Sequence, residues 1–233
     1  MTTVRQLFWA PAALTVVVGC GSTASAPSGS TAVSPFGQST RPPSPSASMI
    51  GTPSSIVVAR IEDPDLSINL PPQWRTQPIP ELRSGIEQQA AASSGVIHDI
   101  SVRLLADIDA GDVRLFASGP SGFENWQASL FIEVTDAPSV EAQIAAIKAR
   151  WAKVGKPTSS DRRTVTLRMG SMERLSQTAD PPVGVTGPTM ASRTIDYVTE
   201  LDDGRILWVT SIGPETSAIF ANLIDFAVAT LGP

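Results

Sequence analysis

From about Ser55 to the C-terminus, apolar residues recur at strand or helix spacing; before it they do not. Ile56–Ile61 and Leu66–Leu70 alternate around an Asp63-Pro64-Asp65 turn and predict two strands. Pro80 to about Ala92 predicts a helix. Ser94–Ile108 is ambiguous: Ile97, Ile100, Leu104 and Ile108 keep helical spacing, but the stretch is rich in β-branched residues. Val113–Ala117 and Ala128–Val134 predict strands. Ala137–Val154 predicts a helix, with Val140, Ile144, Ile147, Trp151 and Val154 along one stripe. Asp136 or Ser139 can cap its start, and Gly155 and Pro157 stop it. Four strands follow: Thr164–Met169, Ser171–Thr178, Arg193–Leu201 and Arg205–Ile212. Asp202-Asp203-Gly204 forms the last hairpin turn, and Ala179–Met190 a long loop. Pro214–Leu231 predicts a closing helix with Ile219, Phe220, Leu223, Phe226, Ala227 and Leu231 turned inward. Consecutive strands bracketed by helices predict an α+β fold, a mostly antiparallel sheet with helices packed on its faces.

The N-terminal stretch has a different texture. After Arg5, residues 7–18 form an apolar run of about twelve residues, too short for a bilayer core that needs roughly 20. Such a run after a basic start fits a secretory signal. It ends in Val17-Val18-Gly19-Cys20, which resembles the bacterial lipobox. That resemblance implies a diacylglycerol on the Cys20 thiol and cleavage between Gly19 and Cys20; the alternative is an ordinary signal beside an incidental Cys. Two acyl chains suffice for stable anchoring. Residues 21–55 follow as a tether in which 25 of 35 residues are Gly, Ser, Thr or Pro. Such composition buries too little apolar surface to offset ordering entropy and predicts disorder. The organisation expected is therefore a signal peptide at 1–19, a lipidated Cys and tether at 20–55, and one α+β domain at 56–233. The expected location is the outer face of the cell membrane.

Composition narrows the chemistry. The chain holds 17 Lys+Arg against 22 Asp+Glu, a net charge of −5, one His and one Cys. A structural zinc site takes about four Cys or His ligands, and an acidic chain without a dominant basic field is a poor nucleic-acid binder. No cofactor or metal is expected. Asp107, Asp109 and Asp112 around Gly111 break the calcium-loop template, with Gly111 at the fifth position and Ser118 at the twelfth. Gly119-Pro120-Ser121-Gly122 lacks the spacing of a nucleophile elbow and predicts a turn. His98 and Asp99 are adjacent, so their side chains diverge. The chain is therefore expected not to be an enzyme.

Seven of the 17 basic residues fall between Lys148 and Arg168. Lys148, Lys153, Lys156, Arg162 and Arg163 are candidates for contact with anionic headgroups or an anionic wall polymer. A solvated helix end and strand, with charges on different faces, is the plainer interpretation. Of Trp74, Trp126, Trp151 and Trp208, Trp151 lies on the inward helical stripe and suits a core; Trp126 and Phe123, in a Gly-flanked stretch, suit core or loop packing, with an exposed contact or a pocket mouth as the alternative.

Leu66-Ser-Ile-Asn-Leu-Pro-Pro-Gln-Trp74, the late pair of long strands and the final amphipathic helix resemble Mog1/PsbP-like domains. Small actinobacterial lipoproteins with that domain have the same layout of signal, Cys, Ser/Pro tether and domain. The resemblance covers residues 56–233 and implies an antiparallel sheet with helices on its faces, in a binding or accessory module without a shared catalytic set. Gln73 stands where Gly is common. The expected function is a membrane-anchored, non-catalytic binding module of the cell envelope. Its partners would be the membrane through its lipid, and an envelope protein or anionic wall polymer. A carrier of an apolar ligand and a wall-active hydrolase are the alternatives.

Overall fold

The computed structural model describes residues 56–123, 126–154, 157–180, 191–215 and 217–233. The signal, Cys20 with Gly19, the tether and Lys156 lie outside the described residues, as do the side chains of Phe123, Trp126 and Val154. Elements run β1 (Val57–Ile61), β2 (Leu66–Leu70), β3 (Arg75–Gln77), α1 (Ile79–Ala92), α2 (Val96–Asp109), β4 (Val113–Phe123) and β5 (Trp126–Thr135). They continue α3 (Val140–Val154), β6 (Pro157–Leu167), β7 (Gly170–Ala179), β8 (Ser192–Glu200), β9 (Ile206–Pro214) and α4 (Ala218–Ala229). Seven strands form one antiparallel sheet in the order β3-β4-β5-β9-β8-β7-β6, and β1-β2 is a separate hairpin. The fold is thus α+β and antiparallel, with helices on both faces of the sheet.

Each face has its own core. On one face the hairpin and α4 cover Leu115, Leu130, Ile132, Ile195, Tyr197, Leu207 and Val209. On the other, α3 lays Ile144, Ile147 and Trp151 against Leu175, Val198, Trp208 and Ile212. Beside it α1 and α2 lay Leu82, Ile86, Leu104 and Ile108 against Phe116 and Phe131. Strand residues therefore meet apolar partners in both directions, which is why β9 is buried throughout its length.

Several elements differ from their sequence-based expectation. The ambiguous stretch is a helix, α2, because the side chains at helical spacing find a surface: Leu104 and Ile108 are buried in the α1–α2 core, and Ile97 and Ile100 pack beside α3. Strand β6 begins at Pro157, well before Thr164. It pairs with β7 through backbone ladder bonds while its side chains stay exposed, so no apolar pattern announces it. Gly119 lies within β4 rather than in a turn, and a Cβ there would come within 2.9 Å of the Trp74 ring.

The closing helix is also rotated from its expected phase. Phe220, Ile224, Ala227 and Val228 face inward, whereas Ile219 and Phe226 are 64 % and 49 % exposed and Leu223 is half-buried. The Ser217 hydroxyl caps the helix by accepting from the Phe220 N–H at 3.0 Å. The Phe220 ring lies flat on Gly213, where a Cβ would approach it to 2.7 Å. At the far end Gly232 exchanges backbone hydrogen bonds with Ser67 of β2 at 2.7 and 3.1 Å. Those anchors set the rotation of α4.

Candidate functional site

A cleft opens where α2 and α3 lie side by side over the sheet. Its floor is built from neighbouring strands. Glu133 on β5 stands opposite Trp208 on β9, and Thr210 on β9 stands opposite Asp196 on β8. Alternation of side chains along each strand puts all four on the α3 face. Gln143, Ile147, Arg150 and Trp151 of α3 line the cleft together with Ile100, Arg103, Leu104 and Asp107 of α2.

The cleft has two lobes that share Arg103, Asp107, Glu133 and Arg150. The apolar lobe, of about 60 Å³, adds Ile100, Leu104, Phe131, Trp151, Thr210 and Ile212. The polar lobe, of about 190 Å³, adds Asp112, Thr135, Gln143 and Trp208 among its walls. Arg150 is held at the junction in three ways. Its guanidinium lies 4.5 Å from the centre of the Trp208 ring, a cation–π contact. Its Nη2 donates to Asp107 Oδ2 at 3.0 Å. Its Nη1 stands 3.9 Å from Glu133 Oε1, beyond hydrogen-bond reach.

Glu133 is 2 % exposed. Burial drives its carboxyl up to about 8, because the charge of Arg150 only partly offsets desolvation and those of Asp107 and Asp112 add to it. The carboxyl is thus largely protonated at neutral pH. Asp196, 1 % exposed, is pushed up to about 6 by the same desolvation. It is held lower than Glu133 by the facing Thr210 and by the Trp208 indole N–H, which donates to its Oδ1 at 2.9 Å. The Thr210 hydroxyl itself makes no hydrogen bond of normal geometry. Asp112 is also raised, by burial and then by Asp107 and Asp136. Asp196 lines a further small pocket of about 40 Å³ on the other side of α3.

The residues singled out from the sequence are distributed differently. Ser139 rather than Asp136 caps α3, its Oγ accepting from the Ala142 N–H at 3.1 Å. Asp107 and Asp109 point to different cations, Arg150 and Arg83. Among the described residues no three His, Cys, Asp or Glu side chains are placed to hold a metal ion. His98 Nδ1 lies 3.0 Å from the Ala90 carbonyl. The basic residues do not share one face. Arg162 lies on the α3 face between Glu141 and Glu173, its neighbour Arg163 points to the opposite face, and Lys148 and Lys153 are exposed on α3. Arg150, counted among them by sequence, is the one that enters the cleft.

Sequence reasoning missed Glu133 and Asp196. The available signal was an acidic residue within an apolar strand, Leu130-Phe131-Ile132-Glu133-Val134 and Ile195-Asp196-Tyr197-Val198. In a sheet covered on both faces, neither parity offers such a residue a solvent side.

No protein-family model matches the chain, and no curated protein matches it.

Proposed function

We propose that the protein is a lipid-anchored module on the outer face of the cell membrane that binds a small ligand in the cleft between α2 and α3. The observation that carries binding is Glu133: a carboxyl 2 % exposed that has only Arg150, 3.9 Å away, as a charged partner and lines a cleft that opens to solvent. The anchored location is supported by Cys20 at the end of the apolar run and by the tether composition. No described helix is long and apolar enough to cross a membrane. A Mog1/PsbP-like assignment is supported by the antiparallel sheet with helices on its faces and by the Leu66–Trp74 opening.

The size of the cleft speaks to the ligand. Sites for drug-sized molecules or lipids enclose roughly 300 Å³ or more, and the two lobes hold about 60 and 190 Å³. A small polar or amphipathic molecule therefore suits it better than a long acyl chain. Among the described residues the cleft walls include no Ser, Cys, His or Lys, and Asp107 is committed to Arg150. A Ser–base pair is therefore not assembled in these walls, and the carboxyls Asp107, Asp112 and Glu133 that converge there are what a hydrolase would have to use.

Ala146 lines the polar lobe, so Ala146→Trp should fill it. Compounds that raise the melting temperature of the full-length chain should lose that effect in Ala146→Trp; hits that shift both proteins equally would remove the cleft as the site. Intact mass of the native product should begin at Cys20 and carry a diacylglycerol. An unmodified thiol there would remove the anchor.

A further inference from the structure

The hydrogen-bonding inventory of the cleft points to the class of its ligand, an inference that rests on the cleft being a binding site. Trp151 and Thr210 both line the apolar lobe. The Thr210 hydroxyl is directed to the facing Asp196, whereas the Trp151 indole N–H is sealed from water without a partner. Native proteins leave few such groups unpaired. An indole N–H and a guanidinium only donate. Arg150 spends Nη2 on Asp107 and keeps Nη1 out of reach of Glu133, so it has a donor to spare. Glu133 in its neutral form adds an O–H. Arg150 Nη1 is thus a free donor at the edge of the apolar lobe, next to the Glu133 carboxyl, and Ile100, Leu104, Phe131 and Ile212 beside them are apolar.

We propose that the cleft takes a short-chain monocarboxylate, one of whose oxygens accepts from Arg150 Nη1 while the other meets the Glu133 carboxyl and shares a proton with it, its alkyl chain lying against Ile100, Leu104, Phe131 and Ile212. A carboxylate beside Glu133 makes ionisation of Glu133 more costly. The proton is therefore part of the complex, and the affinity is lost as Glu133 ionises. The charged groups that act on Glu133 are Arg150 from α3, Asp107 and Arg103 from α2, and Asp112 from the turn before β4. An amine would need the reverse: an ionised Glu133, and an affinity that grows with pH.

The test is titration of butyrate and hexanoate into the full-length chain at about pH 6 and about pH 9, on either side of the Glu133 transition. Butylamine and hexylamine form the counter-series. Trp151 and Trp208 line the cleft and report by fluorescence. Carboxylates should bind saturably at the lower pH and about tenfold more weakly, or worse, at the higher. In Glu133→Gln the ratio between the two pH values should fall to about one. Arg150→Met should lose binding at both, with far-UV circular dichroism confirming that it folds, and the remote Phe226→Gln should bind as the parent does. Amines that bind, and tighten at the higher pH, would overturn the carboxylate assignment while leaving the cleft as a site. Failure of both series to bind would overturn it as well; the cleft itself stands or falls on the Ala146→Trp comparison.

Discussion

Beneath α4, Arg174 is buried among apolar side chains, yet its guanidinium donates to Asp225 through Nε and Nη2 at 3.0–3.2 Å and to the Tyr197 hydroxyl at 3.1 Å. Tyr197 in turn donates to Asp225. Burial and the Asp225 charge hold the Tyr197 phenol well above its ordinary range, so it stays a donor. Across the same sheet, under α3, Glu133 is at least as buried and has only a distant Arg150. Both faces bury an ionisable group, but one surrounds it with matched partners and the other leaves it with a single distant one. A completed cluster pins an element in place, whereas an incomplete one beside open space carries a cost that the folded protein alone does not recover. The contrast marks the α4 face as the half with a completed polar cluster and the α3 face as the half that leaves a buried carboxyl beside a cleft.

The largest expected effect is on the completed cluster. Asp225→Ala leaves Arg174 buried with only Tyr197 and should cost about 3 kcal/mol in urea denaturation, the low end of the range for broken buried pairs because Asp225 is itself about a third exposed. A loss below about 1 kcal/mol would place this cluster among surface ion pairs and dissolve the contrast.

Glu133 should act in the opposite sense. Its folded value is raised from 4.5 to about 8, so the folded state keeps a proton that the unfolded state releases between those values. Its contribution to stability is full below about pH 4.5 and is lost as pH rises to about 8, with a limiting slope of about 1.4 kcal/mol per pH unit. Asp196, raised to about 6, adds a slope of the same sign at lower pH. The lowered carboxylates Asp63, Asp109, Glu141, Glu173 and Asp203 contribute in the opposite sense, but at pH values below their ordinary range. Stability of the parent should therefore decline from about pH 5 to 8, and Glu133→Gln should gain on it by roughly 2–4 kcal/mol over that window. Parallel pH profiles for the two proteins would show that Glu133 is not the uncompensated group.

The smallest effect sharpens the boundary of the α4 face. Ile219→Gln and Phe226→Gln should each change stability by no more than about 0.5 kcal/mol, because both side chains are exposed. Ile224→Ala, two residues before Phe226 and buried on the other side of the helix, should cost roughly 2–5 kcal/mol. Equal losses at Phe226 and Ile224 would mean that α4 sits in the rotation its hydropathy alone suggested.

Much of the fold was written in local pattern. The α3 stripe of Val140, Ile144, Ile147 and Trp151, the β1–β2 hairpin and the β8–β9 turn at Asp202-Asp203-Gly204 all lie where their spacing put them. These features depend on neighbours a few residues apart, which the chain carries with it wherever it goes. Four features needed the third dimension. Strand β6 is held by backbone bonds that leave no mark in side-chain identity. Helix α2 was decided by the surface it covers. The rotation of α4 was fixed by Gly213 and by the Ser67–Gly232 bridge. The cleft brings together residues 103–107, 133, 150 and 208–210. A carboxyl's chemistry is set by what surrounds it, and for Glu133 those surroundings come from distant parts of the chain. The amino-acid order determined most of the helices and strands, α2, β3 and the first half of β6 excepted, and that they would form a layered α+β fold. Packing decided how far Glu133 and Asp196 would lose their water and which groups would face them.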